Sequence, residues 1–258
     1  MRKIKTIILR APGTNCDRET ASAFQMAGAD PEVIHINKVL RKEVCLADYH
    51  ILVIPGGFSY GDDISAGRIF ANKFRYKLLE EIRDFSSSRK LVLGICNGFQ
   101  VLVKAGLLPF TDLKPSVTLT YNDSGKYECR WVYMKTNNAS ASFWIKDLPD
   151  IVRLPVAHAE GKFFTDQPTL SRIEKENLVL LQYCDEKGRE AVYPANPNGA
   201  LKSIAGITNP QGNIFGLMPH PERFVIRQHY PSWTREKNVV PYGFRIIENA
   251  VKFAEKNF

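Results

Sequence analysis

Apolar residues in this chain gather in short runs, and the segments between many of those runs carry the spacing of amphipathic helices. Ile4-Lys5-Thr6-Ile7-Ile8-Leu9 predicts a first strand, followed by a Gly/Asn loop. Glu19 to Ala27 predicts a helix stopped at Gly28, a residue type that ends helices because it accepts a left-handed backbone. Further strands are expected at Pro31 to Ile36 and at Ile51 to Ile54, the second running into Pro55-Gly56-Gly57. Helical spacing covers much of Ala66 to Phe85. Leu91 to Ile95 then predicts a buried strand, and Phe99 to Ala105 a helix capped by Gly106, with Pro109 preventing continuation. Strands that are apolar throughout, separated by helices, indicate an α/β fold: a mostly parallel sheet covered on both faces.

The pattern changes after Val117. From there to Trp144 it is β-like, with Asn122-Asp123-Ser124-Gly125 as turn residues, which predicts antiparallel additions at the sheet edge. Leu178 to Tyr183 and Ile204 to Thr208 continue them. Asn209-Pro210-Gln211-Gly212-Asn213 is expected to form a hairpin turn before Ile214-Phe215-Gly216-Leu217. The apolar stripe Ile246, Ile247, Ala250, Val251, Phe253 and Ala254 predicts a closing helix. Nothing marks a boundary within residues 1–258, so one domain is expected.

Composition narrows the class without naming a function. With 44% hydrophobic and 24% charged residues, the chain is ordinary for a folded globular protein. No apolar run approaches the ~20 residues that span a bilayer, and Met1-Arg2-Lys3 leads into a strand, not a signal peptide. The five cysteines, Cys16, Cys45, Cys96, Cys129 and Cys184, are scattered without metal-ligand spacing, as expected of reduced thiols in the cytoplasm. The formal charge of +8 comes from Lys and Arg spread along the chain, with no basic block and no interleaved aromatics. A solvated surface or a face for an acidic partner explains it better than nucleic acid. Asp62-Asp63 has no accompanying His or carboxylate cluster, so no metal is expected.

The candidate chemistry lies at Gly94-Ile95-Cys96-Asn97-Gly98. Strand, sharp turn and helix form a nucleophile elbow, and the helix N-terminus aims free N–H groups at the sulfur and favours the thiolate. A buried core cysteine is the bland alternative. The second motif, Met218-Pro219-His220-Pro221-Glu222, weighs against it. His220 is placed to exchange a proton, and Glu222 to hold the far ring nitrogen. Attack by Cys96 on a carboxamide creates an oxyanion that preset N–H donors must meet. Gly57, where only glycine tolerates an unusual backbone angle, and Asn97, directly after the nucleophile, are the expected pair.

These motifs together resemble the class I (triad) glutamine amidotransferases. Three further segments narrow the resemblance: Pro12 to Asp17, Pro55 to Asp63 (with the run Gly56-Gly57-Phe58-Ser59-Tyr60-Gly61-Asp62), and Ala157-His158-Ala159-Glu160-Gly161-Lys162-Phe163. They look like the glutaminase subunits of phosphoribosylformylglycinamidine synthase, over nearly the whole chain to Arg223. The resemblance implies a flavodoxin-like fold with L-glutamine as substrate. It implies a triad of Cys96, His220 and Glu222, and substrate contacts from Gln100, Asn122, Ser124 and Tyr127. It further implies a synthetase partner with a small third subunit, ATP and magnesium used by that synthetase, and no cofactor in this chain. Family members more often carry glycine where Ala159 stands, so a left-handed backbone there would be strained. Residues 224–258 read as an added loop and helix, whose Tyr230 and Trp233 suit either a docking surface or packing over the core. A self-sufficient cysteine hydrolase is disfavoured, since such folds usually put histidine where Asn97 stands. An inactive scaffold is disfavoured by retention of the triad.

Overall fold

The computed structural model describes residues 3–140 and 142–258, so the expected lead-in at Met1 and Arg2 lies outside the described residues. Five apolar runs lie side by side as parallel strands. They are β1 (Lys5–Arg10), β2 (Asp30–His35), β3 (Ile51–Ile54), β4 (Leu91–Ile95) and β11 (Ile214–Leu217), ordered β2-β1-β3-β4-β11. The sheet continues antiparallel through β10 (Ile204–Thr208), β9 (Val179–Cys184), β6 (Glu128–Thr136) and β7 (Ile151–His158). The strands β3, β4 and β11 are buried at every position, which is why they read as continuous apolar runs. Pro31 is tolerated in β2 because that strand lies at the sheet edge.

From β1 the chain moves one way to β2, through α1 (Asp17–Met26), and from β3 the other way to β4, through α3 (Arg68–Lys77) and α4 (Leu79–Ser87). Right-handed crossovers in opposite directions put these helices on opposite faces. The reversal also opens a crevice at the C-terminal ends of β1 and β3. One contiguous core runs from Ile4 to Ala254 and includes the stripe of α7 (Tyr242–Asn257). Among the described residues no helix is long and apolar enough to cross a membrane.

Several boundaries differ from expectation. The helix expected over Ala66 to Phe85 is two helices, α3 and α4, broken at Leu78. Ile36 belongs not to β2 but to the short helix α2 (Ile36–Leu40), capped by the His35 side chain. The helix after Cys96, α5 (Asn97–Ala105), begins two residues early. The stretch Val117 to Trp144, which also contains Ala141 outside the described residues, divides between two sheets. Its first strand, β5 (Val117–Tyr121), pairs with β8 (Glu160–Thr165) in a separate two-stranded sheet. The expectation of edge additions is therefore corrected for β5 and holds for β6. Strands β7 and β8 and helix α6 (Gln167–Lys175) complete the structure.

The loop after Arg223 packs onto the sheet. Tyr230 is buried against Trp131, ring centroids 5.1 Å apart, and the Arg153 guanidinium lies 4.3 Å from its ring centre. Arg153 also pairs with Glu236 at 2.9 Å.

Candidate active site

Strands β4 and β11 run parallel with Ile95 beside Leu217, so the turns after them emerge side by side. The Cys96 N–H donates to the Leu217 carbonyl at 2.8 Å, tying the two turns together. Cys96 has φ 51° and ψ −103°, a strained conformation for a side-chain-bearing residue. It is imposed by the switch from buried strand to helix within one residue. The first intrahelical bond of α5 runs from Gln100 N–H to Cys96 O, so the N–H groups of Asn97, Gly98 and Phe99 have no helical acceptor. That leaves the anion-stabilising end of α5 against the sulfur.

His220 and Glu222 are both buried, and His220 Nδ1 lies 2.6 Å from Glu222 Oε1. The contact holds the ring with Nε2 free, and Nε2 has no complete hydrogen bond among the described residues. Burial opposes a charge on the imidazole, yet Glu222 and the Cys96 and Cys16 thiols outweigh it and raise the His220 pKa well above the ordinary value. The charged form of this ring is therefore favoured more than in an ordinary histidine. The His220 N–H donates to Pro155 O at 2.8 Å, and Cys96 Sγ lies 3.7 Å from Ala157 O. The antiparallel half of the sheet thus brings β7 across the active end of the parallel half.

Gly57 has φ +139°, and a Cβ there would fall 2.7 Å from Asn15 N. Its bridge to Thr14 leaves its own N–H without a partner among the described residues. The expected oxyanion pair, Gly57 N–H and Asn97 N–H, is thus unpaired at both members.

The four expected substrate contacts are placed differently from one another. Tyr127 is half-exposed, its ring centre 6.3 Å from that of Phe58, and it feels the charge of Cys96. Gln100 is buried and committed at both ends: it donates to Glu160 O at 2.6 Å and accepts from Asn97 Nδ2 at 3.0 Å. Asn122 is buried too, donating to His158 O and Lys126 O. Ser124 lines a cavity of about 550 Å³ with Lys126, Tyr193 and Asn196, to which no triad residue contributes.

His158 stands beside the site as a neutral ring. Asn122 Nδ2 donates to two carbonyls, so Asn122 Oδ1 accepts from His158 Nδ1 at 3.1 Å and His158 Nε2 remains buried without a partner. A second proton would have no acceptor; burial and the neighbouring His220 push the His158 pKa down to about 3. Ala159 is absent from the left-handed residues, so alanine is unstrained where glycine is usual.

One residue at the site went unrecognised in the sequence. Cys16 is buried at the N-terminus of α1, and its sulfur accepts from Arg223 at 3.1 Å. Burial nonetheless raises its pKa, with His220 opposing. Its one legible signal was position, in a loop at the same end of the sheet as Cys96. Cys16, His220 and Glu222 present ligating atoms within 4.8 Å of one another. Arg223 already meets the sulfur and His220 the carboxylate, so cationic groups of the chain itself balance this set.

Comparison with known proteins agrees with this geometry. The family described as CobB/CobQ-like glutamine amidotransferase domain matches residues 3–254. A phosphoribosylformylglycinamidine synthase subunit PurQ of Dehalococcoides mccartyi is 47% identical, covering 99% of this chain and 100% of the relative. The protein of the same name from Methanococcus maripaludis is 40% identical, covering 98% of each. Among solved structures, PurLQS from Thermotoga maritima matches with a TM-score of 0.75 and 30% identity, covering 98% of this chain and 99% of that one.

Proposed function

The chain belongs to the CobB/CobQ-like glutamine amidotransferase family, among the glutaminase subunits of phosphoribosylformylglycinamidine synthase, and from that premise we propose that Cys96, His220 and Glu222 carry its chemistry. It hydrolyses L-glutamine to glutamate and ammonia, and the ammonia serves the conversion of formylglycinamide ribonucleotide to its amidine in purine biosynthesis.

The Cys96 thiolate attacks the side-chain carbonyl of glutamine, and the oxyanion is met by the N–H groups of Gly57 and Asn97. Collapse of the intermediate expels ammonia, which takes its proton from His220 Nε2. His220, now neutral, removes a proton from water as it attacks the thioester, giving glutamate and the free thiolate. Glu222 keeps Nε2 directed at the sulfur throughout. The observation that supports this reading is the buried His220 ring, its Nδ1 fixed at 2.6 Å by Glu222 while the ring interacts with the Cys96 sulfur at the elbow.

Tyr127 faces the substrate directly, while Gln100, Asn122 and Ser124 shape the segments around it. The likeness to PurLQS supports a synthetase subunit and a small third subunit as partners. ATP and magnesium are the synthetase's requirements; this chain binds no cofactor and works in the cytoplasm. Residues 1–258 act as one amidotransferase domain, with 224–258 as its added loop and helix. A diazoketone analogue of glutamine should label Cys96, located by mass mapping. A complex carrying Cys96→Ala should lose synthesis from glutamine and keep synthesis from ammonium. An adduct chiefly on Cys16 would overturn the assignment.

A further inference from the structure

Asp62 has no part in the reaction above, yet it joins the loop that begins at one oxyanion donor, Gly57, to the side chain of the residue that carries the other, Asn97. One donor, Gly57 N–H, heads a loop in which Gly57, Tyr60, Gly61, Asp62, Ile64 and Gly67 are all left-handed, with φ between 53° and 139°. Tyr60, Asp62 and Ile64 hold that conformation despite carrying side chains, and Ile64 at the tip is 84% exposed. A loop so strained keeps one shape only where its surroundings impose it. Its head is tied to the turn after β1 by Phe58 N–H to Gly13 O at 2.9 Å and Tyr60 N–H to Pro12 O at 2.6 Å. Two side chains of α5 tie it down among the described residues: Lys104, whose Nζ donates to Ala66 O near the far end of the loop, and Asn97 at the nucleophile elbow.

The Asn97 amide is buried and makes contacts on both sides. Nδ2 donates to Asp62 Oδ1 at 3.0 Å and to Gln100 Oε1 at 3.0 Å, while Oδ1 accepts from Ser59 N–H at 3.3 Å. Asp62 Oδ1 also accepts from Gly67 N–H at 3.4 Å, closing the far end of the loop. An ionised carboxylate only accepts, so it dictates that Nδ2 points toward it, and the amide oxygen is thereby left facing Ser59. Remove that acceptor and the amide loses a determinant of its orientation; a flipped amide would set two donors, Nδ2 and Ser59 N–H, against each other. Asn97 contributes the second oxyanion donor through its own backbone.

We propose that Asp62 is a positioning residue for the oxyanion hole: by orienting the Asn97 amide it latches the Gly57–Gly67 loop to α5 and fixes the two donors relative to each other. The inference rests on the triad reading above. It also assigns a purpose to the acidic end of the Gly-Gly-Phe-Ser-Tyr-Gly-Asp run that neither metal binding nor catalysis supplies.

The test uses the full synthetase complex. The parent must first show glutamine-dependent synthesis; if only ammonium supports it, the triad reading falls, and this one with it. In a complex carrying Asp62→Ala, the glutamine-dependent kcat should drop about tenfold, a fraction of what outright loss of an oxyanion donor costs. KM for glutamine should stay within about threefold and the ammonium-dependent rate should match the parent's, because neither binding nor the synthetase depends on the latch. Alkylation of Cys96 by iodoacetamide, which develops no oxyanion, should keep its rate within about twofold. Asp62→Asn retains an acceptor oxygen for both Gly67 N–H and Asn97 Nδ2 and should recover most of the lost kcat. Parent-like kcat in Asp62→Ala would refute the latch. So would a parallel loss of Cys96 alkylation, which would mean general damage to the site, or an Asp62→Asn variant as slow as Asp62→Ala.

Discussion

Acid should loosen this protein through one residue, His158, before it reaches the bulk of the carboxylates. The unfolded chain takes a proton on this imidazole near 6.5, whereas the folded chain refuses it until about 3. Between those values the unfolded state binds more protons, so stability contributed by His158 is complete above about pH 6.5 and is lost as pH falls. Two-state linkage with these pKa values gives a loss of roughly 1–2 kcal/mol from pH 7.5 to 5.5, and roughly 3 kcal/mol by pH 4.5. Urea denaturation at each pH measures it, with His158→Asn as the comparison. Asparagine keeps an N–H for Asn122 Oδ1 but cannot titrate. It also leaves space where the ring covers Gly161, whose added Cβ would lie 2.5 Å from that ring, so the variant starts less stable. The measured quantity is therefore the pH slope. The parent should lose roughly 1–2 kcal/mol more than the variant between pH 7.5 and 5.5. Parallel slopes would show that His158 accepts its second proton freely and that its buried, partnerless Nε2 has been misread.

The triad should respond unevenly to mutation. His220→Ala should lower glutamine-dependent kcat by roughly 10³-fold or more and Glu222→Gln by less, because a misaligned imidazole still transfers protons; the reverse order would break the assignment of roles. Gly98→Ala sets helix propensity against packing. Alanine gains about 1 kcal/mol in a helix, but its Cβ would fall 1.9 Å from Ile54 O, so α5 must lift off β3. We expect net destabilisation of about 2–4 kcal/mol by urea denaturation, and a stabilised variant would refute the close approach.

The parallel half of the sheet was legible because its strands are buried on both faces and its helices are amphipathic. The antiparallel half was less so. The segment Ala157 to Phe163 stands out in the sequence only as a motif, with no strand expected there, yet it is the end of β7, a one-residue bend, and the start of β8. Pro155 in a strand and the polar alternation of β8 hid both. In the candidate site, Cys96, His220, Glu222, Gly57 and Asn97 stood out in the sequence because the chemistry proposed for them requires a particular backbone setting. Cys16 and Asp62 were missed as contributors because their partners, Arg223 and Asn97, are brought to them only by the fold. For Gln100 and Asn122 the family resemblance implied substrate contact, and the fold adds that both amides bond to the protein itself, which no motif could reveal.

The adjacency of β4 and β11 bears on how the chain comes off the ribosome. The elbow strand is made first, and the neighbour that accepts its Cys96 N–H, Leu217, follows about 120 residues later. Until then β4 presents an unpaired, wholly apolar edge, the kind of surface that recruits other chains. On the proposed triad the nucleophile is made long before its base, so a nascent chain ending before His220 should not hydrolyse glutamine. On the same proposal, insertion of β11 both closes the exposed edge of β4 and delivers the base to the nucleophile.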